Sequence, residues 1–168
     1  MTPARFSIRP AEARDVPELL RLIRALADYE RLTHLVVADE DALRKSLFGE
    51  GSGPEALIAH ESGTNGPAVA FALFFHTFST FLGRRGLWLE DIFVVPEYRG
   101  AGVGRRLLAR LAAIAREREC GRFEWSVLDW NTPAIRFYER MGATLLPEWR
   151  IVRVTGDALE RFGLDATP

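Results

Sequence analysis

The stretch Val94-Val95-Pro96-Glu97-Tyr98-Arg99-Gly100-Ala101-Gly102-Val103-Gly104 limits what this chain can become more than any other part of it. An apolar, strand-like run closes at Pro96, which has no N–H to give to a sheet. A helical pattern begins at Gly104. The glycines between them stand at alternate positions, and without a Cβ successive N–H groups can point into one concavity. The helix that follows adds its positive end. Such a loop is suited to cradling phosphate, with Arg99 as an added charge. The plainer alternative is a flexible turn with no ligand. Familiar nucleotide loops do not fit: a P-loop needs Gly-Lys-Ser/Thr, but Arg105 and Arg106 follow Gly104. A Rossmann fingerprint needs a small residue where Leu107 stands.

The rest of the pattern builds a sheet around that loop. Phe6-Ser-Ile8 reads as a first strand. Asp15-Val-Pro-Glu18 has helix-start chemistry, with an N-cap acid, an early proline and a glutamate three residues on. Leu19, Leu22, Ile23 and Leu26 follow at helical spacing. Asp39 to Phe48 reads as a second helix that Gly49 ends. Ala56–His60 and Ala68–Phe78 form a hairpin across the turn signal Ser62-Gly-Thr-Asn-Gly66. Gly83-Arg-Arg-Gly86 is another turn, and Leu87–Val95 a further strand. Helix Gly104–Glu119, strand Arg122–Leu128, helix Asn131–Met141, strand Trp149–Val154 and a last helix Asp157–Phe162 complete the reading. The fold class is therefore α/β (α+β), a single domain over residues 1–168.

Composition narrows the function. The chain has 168 residues, 48% of them hydrophobic and 27% charged, enough to bury a core. No apolar run approaches the length of a membrane span, and the N-terminus lacks a signal-peptide pattern. A single cysteine, Cys120, suits a reducing cytoplasm. A net charge of −1 argues against nucleic acid as a partner. His34, His60 and His76 fall on different elements without metal-ligand spacing, so no metal is implied.

Arg99-Gly-Ala-Gly-Val-Gly104 resembles the Arg/Gln-x-x-Gly-x-Gly/Ala signature of the GNAT superfamily of N-acetyltransferases. Ile8-Arg-Pro10, Leu22-Ile-Arg-Ala-Leu-Ala-Asp-Tyr-Glu30, Phe48-Gly-Glu50, Leu89-Glu-Asp-Ile-Phe-Val94 and Trp130-Asn131 with Phe137-Tyr138 are similar to the spermidine/spermine N-acetyltransferase subfamily. Ser79-Thr80 and Val127-Leu-Asp-Trp-Asn131 look more like its thialysine N-epsilon-acetyltransferase branch. The resemblance implies a mixed, largely antiparallel twisted sheet, splayed at the cofactor site and flanked by helices. It implies acetyl-CoA as co-substrate, a small-molecule amine as acceptor, and a homodimer. The amides of Arg99, Gly100, Ala101, Gly102, Val103 and Gly104 would hold the pyrophosphate. The N–H groups of Phe93, Val94 and Val95 would face the thioester.

Amine acetylation has a protonation problem. An alkylammonium with a pKa of about 10.4 is almost wholly charged at pH 7, and exposing its lone pair costs roughly 4–5 kcal/mol. A carboxylate can attract the cation and then take its proton. Glu90 and Asp91 are adjacent acids in an otherwise apolar strand, where a solvated edge acid is the ordinary reading. Strand neighbours point to opposite faces, so both reach one substrate only if a bulge interrupts the alternation. By resemblance Glu90 is the base or water-holder and Asp91 binds the amine. Asn131 and Tyr138 share a helical stripe about 10.5 Å apart. Tyr138 is either a core or rim residue or, by resemblance, the acid that protonates the leaving thiolate. Asn131 is either an N-cap or a ligand of the pantetheine arm. Asp28 and Glu30 match the family's acidic substrate-lining segment, and Phe81, Glu148 and Trp149 fall where its pocket wall would lie. A polyamine enzyme would carry an acid where Ser79 stands, which favours a small lysine-like or diamine acceptor over spermine.

Overall fold

A computed structural model describes residues 5–64 and 66–162. The chain divides into two compact units, Met1–Ser126 and Val127–Pro168.

The first unit is a five-stranded sheet of β1 (Phe6–Pro10), β2 (Glu55–Glu61), β3 (Ala70–Ser79), β4 (Arg84–Val94) and β5 (Arg122–Trp125), in that spatial order. The first four strands pair antiparallel, and β5 joins β4 in parallel. Helices α1 (Val16–Tyr29) and α2 (Glu40–Phe48) precede β2, and α3 (Val103–Glu117) crosses over between β4 and β5. Leu19 and Leu22 of α1, Leu47 of α2, Ile58, Phe71 and Phe93 form one buried cluster on one face of the sheet. Leu107 and Leu111 of α3 are fully buried, and the Arg118 guanidinium just past that helix lies over the Phe74 ring at 6.0 Å. Phe74 therefore marks the other face.

Several expectations shift in detail. Asp15 is the N-cap of α1 by position, yet its side chain makes no capping bond. It accepts two hydrogen bonds from Arg9, at 2.6 and 2.7 Å, and one from the Glu12 N–H at 2.7 Å. A guanidinium offers a carboxylate more than one helix N–H does, so the ion pair wins. Asp39 does cap α2, accepting from the Ala42 N–H at 2.8 Å. Gly49 ends α2 with an extended φ of −75°; a Cβ there would meet the Lys45 carbonyl oxygen at 2.4 Å. The turn expected at Gly83–Gly86 lies at residues 80–83, and Gly86 sits inside β4, where a Cβ would press on Thr77 Oγ1 at 2.5 Å. Strand β5 ends at Trp125 rather than Leu128.

The second unit holds α4 (Thr132–Arg140) and α5 (Asp157–Arg161). Gly142 follows α4 at φ 92°, the left-handed turn that glycine makes without steric cost. The strand expected at Trp149–Val154 is absent: those residues are irregular and exposed apart from half-buried Val154. Alternating apolar residues make a strand only where a neighbouring strand takes their hydrogen bonds, and none of the described strands pairs with them.

Candidate active site

Residue alternation in β4 is interrupted at one point. Leu73 pairs with Asp91 while the next residue of β3, Phe74, pairs with Leu89, so Glu90 is the extra residue of a β-bulge. The consequence is a change of face. Leu89 lies opposite Phe74, on the α3 side. Asp91 lies opposite Leu73, which packs against the α1–α2 cluster, and Phe93 opposite Phe71 within it. Trp88 precedes the bulge on that same α1–α2 side and donates its indole Nε1–H to Glu90 Oε2 at 2.9 Å. Both acids are thereby turned to one face, the condition the sequence imposes on any shared substrate.

Glu30, directly after α1, completes the group. Burial, then the neighbouring Glu90 and Glu30, push the Asp91 carboxyl from its ordinary 3.8 up to about 6. Burial alone raises Glu30. Glu90 is exposed, whereas Asp91 and Glu30 are half-buried. A carboxyl that is half protonated near pH 6 can both receive a proton and hold a cation close to neutrality.

Farther along β4 the strand edge opens. Pairing with β5 stops at Leu89–Trp125, so from Glu90 to Val94 the edge away from β3 carries no β5 partner. The Val95 N–H is spent on the Val69 carbonyl at 3.0 Å. Hydrogen bonds alternate along an antiparallel strand, so the Phe93 N–H points the same way and the Val94 N–H points to the open edge. Of the three amides expected to face a thioester, Val94 supplies the one with that direction.

The glycine loop follows at once. Gly100 and Gly102 have φ of 76° and 86°, and a Cβ built on either would meet nothing within 4 Å. Their glycines are therefore required by backbone conformation, and the concavity beside them is clear of protein atoms. The first hydrogen bond of α3 runs from the Arg106 N–H to the Gly102 carbonyl, which leaves the N–H groups of Val103, Gly104 and Arg105 ahead of the helix ladder. Gly104 has ordinary backbone geometry, and its Cβ would only touch Val94 Cγ2 at 3.5 Å. This arrangement fits the diphosphate of a coenzyme A thioester, and such a group would supply the activated acyl carbon. Arg99 is placed differently from expectation. Its guanidinium lies over the Tyr29 ring at 4.5 Å and the Phe93 ring at 5.6 Å, and its Nε donates to the Val94 carbonyl at 3.1 Å. It braces the loop against the end of α1.

Not every nominated residue joins this group. Asp28 is exposed at the end of α1. Phe81 is 98% exposed on the turn before β4, about 20 Å along the strand from Glu90, so it does not line the acids in this unit. In the second unit Asn131 caps α4, accepting from the Ala134 N–H at 3.4 Å, and half-buried Tyr138 packs its ring 5.5 Å from that of Phe137. Glu148 and Trp149 are exposed there. One contributor was missed by sequence reasoning: Trp88, two residues before Glu90, a spacing that puts them on one face. Tyr29, which matches the same substrate-lining segment as Asp28 and Glu30, receives Arg99. Among the described residues no group of three or more His, Cys, Asp or Glu side chains could hold a metal, and no helix is long and apolar enough to cross a membrane.

Comparison with known proteins identifies the family. Residues 18–143 match the acetyltransferase (GNAT) family. The thialysine N-epsilon-acetyltransferase of Bos taurus is 39% identical over 163 residues, covering 92% of this chain and 95% of that protein. The L-ornithine N5-acetyltransferase of Arabidopsis thaliana is 37% identical over 195 residues, covering 91% and 86%. Among solved structures, an integron cassette protein of V. cholerae superposes with a TM-score of 0.78 at 26% identity, covering 95% of this chain and 98% of that one. With a family match through most of its length and close relatives along nearly all of it, the chain belongs to the GNAT acetyltransferase family and is an N-acetyltransferase.

Proposed function

We propose that this enzyme acetylates the primary amine of a small lysine-like or diamine substrate with acetyl-CoA. The bulge at Glu90 carries this reading, because it turns two acids to one face of β4 immediately before the glycine loop. Glu90, Asp91 and Glu30 draw the ammonium in. The sequence favours Glu90 as base; the structure supports Asp91, which is withdrawn from solvent and titrates close to neutrality, while Glu90 is exposed and bonded by Trp88. In this reading Asp91 takes the proton, the neutral nitrogen bonds to the thioester carbonyl carbon, and the carbon–sulfur bond breaks. The Val94 N–H steadies the carbonyl oxygen as negative charge grows on it. By family resemblance Tyr138 gives a proton to the departing thiolate and Asn131 binds the pantetheine arm. Also by resemblance the enzyme is a homodimer; the chain's length supports one catalytic domain, and its single cysteine supports work in the cytoplasm. The named activities of the cattle and Arabidopsis relatives, on thialysine and on ornithine, support a small amino-acid acceptor. The absence of an acid at Ser79 weighs against a long polyamine.

The test is thiol release with acetyl-CoA against thialysine, lysine, ornithine, short diamines, spermidine and spermine. The lysine-like and diamine acceptors should exceed spermine in kcat/KM by about tenfold, the equivalent of about 1.4 kcal/mol. Highest turnover on spermine would replace this reading with a polyamine acetyltransferase. Turnover only on peptide or protein amines would replace it with a protein acetyltransferase.

A further inference from the structure

The end of the sheet opposite the glycine loop holds a second charged concavity. A cleft of about 440 Å³ is lined by Arg84, Arg85, Arg118 and Glu119. It lies between the start of β4 and the C-terminal end of α3. The acids lie at the other end of β4, with the glycine loop beyond them about 30 Å along that strand. Its walls are tied together. The Gly121 N–H donates to the Arg85 carbonyl at 2.8 Å, joining the segment after α3 to β4. Arg118 is gripped by both carboxylate oxygens of Glu55, one contact being 2.8 Å from Nη2, and its guanidinium lies over Phe74. Arg84 and Arg85, by contrast, form no ion pair among the described residues. Glu119 is the only acid on the lining. The surplus of positive charge is felt nearby. Burial first, then Arg118 and Arg85, hold the His76 imidazole below its ordinary range, against the opposing pull of Glu55.

We propose that this cleft binds a small multivalent anion, a phosphate or a polycarboxylate, between the Arg85 side chain and the fixed Arg118, with Arg84, its strand neighbour on the opposite face, adding charge at the rim. Guanidinium groups recognise planar or tetrahedral oxyanions through paired N–H donors, and a partner already locked in place by Glu55 loses little freedom on binding. A dianion would neutralise the two unpaired arginines, and the cleft has room for one. The site is independent of the acetyl-transfer reading and stands or falls separately from it.

The full-length protein is titrated calorimetrically with inorganic phosphate and, separately, with citrate, against sodium chloride at matched ionic strength. Each titration is run with and without saturating coenzyme A, so that phosphate held by the glycine loop is lost from the coenzyme A arm. Saturable binding should persist with coenzyme A present and weaken at least about tenfold in R84Q/R85Q, while E119Q should tighten it several-fold. Acetyl transfer measured without added anion should be the same in wild type and R84Q/R85Q. Preference between phosphate and citrate identifies the chemical source of the ligand. Heat that follows ionic strength alone, or binding unchanged in R84Q/R85Q, overturns the proposal. If R84Q/R85Q is unfolded, E119Q decides: unchanged affinity there overturns it as well.

Discussion

Ionising Asp91 works against the fold that holds it. Its carboxyl rises from an ordinary 3.8 to about 6, so the folded protein keeps the proton over a range where the unfolded chain has released it. This contribution is favourable at low pH and is lost as pH climbs from about 4 through 6. Asp91→Asn should therefore stabilise the protein at pH 7.5 by up to about 3 kcal/mol and leave it unchanged at pH 3.5, as read by urea unfolding at both values. The same variant should lose most of its kcat/KM, since the amide cannot accept the substrate proton. Tyr138→Phe should lower kcat by about a hundredfold with little change in the KM for acetyl-CoA. A change confined to KM would remove the acid role from that residue. At this scale the sequence set a condition for Glu90 and Asp91, that a bulge must turn both to one face, and the extra residue at Glu90 meets it. The raised titration of Asp91 was not legible there, because it comes first from burial under elements distant in sequence and only then from the charges of Glu90 and Glu30.

Two elements carry the site, and each depends on backbone geometry. Gly102 opens α3 at φ 86°, a conformation that costs an alanine about 1 kcal/mol. Gly102→Ala should lower stability by that amount and raise the KM for acetyl-CoA roughly tenfold, while leaving kcat nearly unchanged, because a methyl group would crowd the concavity rather than the acids. Initial-rate kinetics and thermal melting check both parts. The glycine loop was legible because little besides the cradling of an anion calls for glycines at that spacing between a strand and a helix. Gly83 and Gly86 were not separable from sequence. The first has φ of 60° in the turn, whereas the second is needed because β3 approaches too closely for a Cβ, and the two demands leave the same letter. Asp15 shows the same limit. A helix-start acid and an ion-pair acid look alike until Arg9 is brought beside it by β1.

Across the molecule, opposing titrations set the pH at which the fold is firmest. Arg9 holds the Asp15 carboxyl below its ordinary range, Arg21 does so for Glu18, and Arg118 for Glu55. These pairs have structural work. Glu18 accepts the Ala68 N–H at 2.7 Å while Arg21 donates to the Ala68 carbonyl at 2.6 Å, which pins the approach to β3 onto α1. Their stabilisation is present above the unfolded carboxylate pKa and is lost as pH falls through the lower folded values. Asp91 runs the other way. Asp91→Asn should therefore reduce the loss of melting temperature as pH rises through about 6 and leave the acid limb unchanged, as followed by thermal melts across pH. Asp15→Ala should remove about 2 kcal/mol at pH 7 and progressively less in acid, measured by denaturant titration. A mixed sheet was readable from one hairpin and a strand–helix–strand crossover, and its largely antiparallel order from the family resemblance. The irregular course of Trp149–Val154 was not, since strand pairing is decided by a neighbour rather than by the segment.

The odd residue in β4 also bears on inheritance. Deleting Glu90 would close the bulge into regular pairing, leaving Asp91 opposite Leu73 and Phe93 opposite Phe71 but taking one of the two acids off the shared face. Loss of the surplus residue would thus cost an acid without disturbing the strand beyond it, and any graft of the site onto another scaffold must copy the bulge together with both acids.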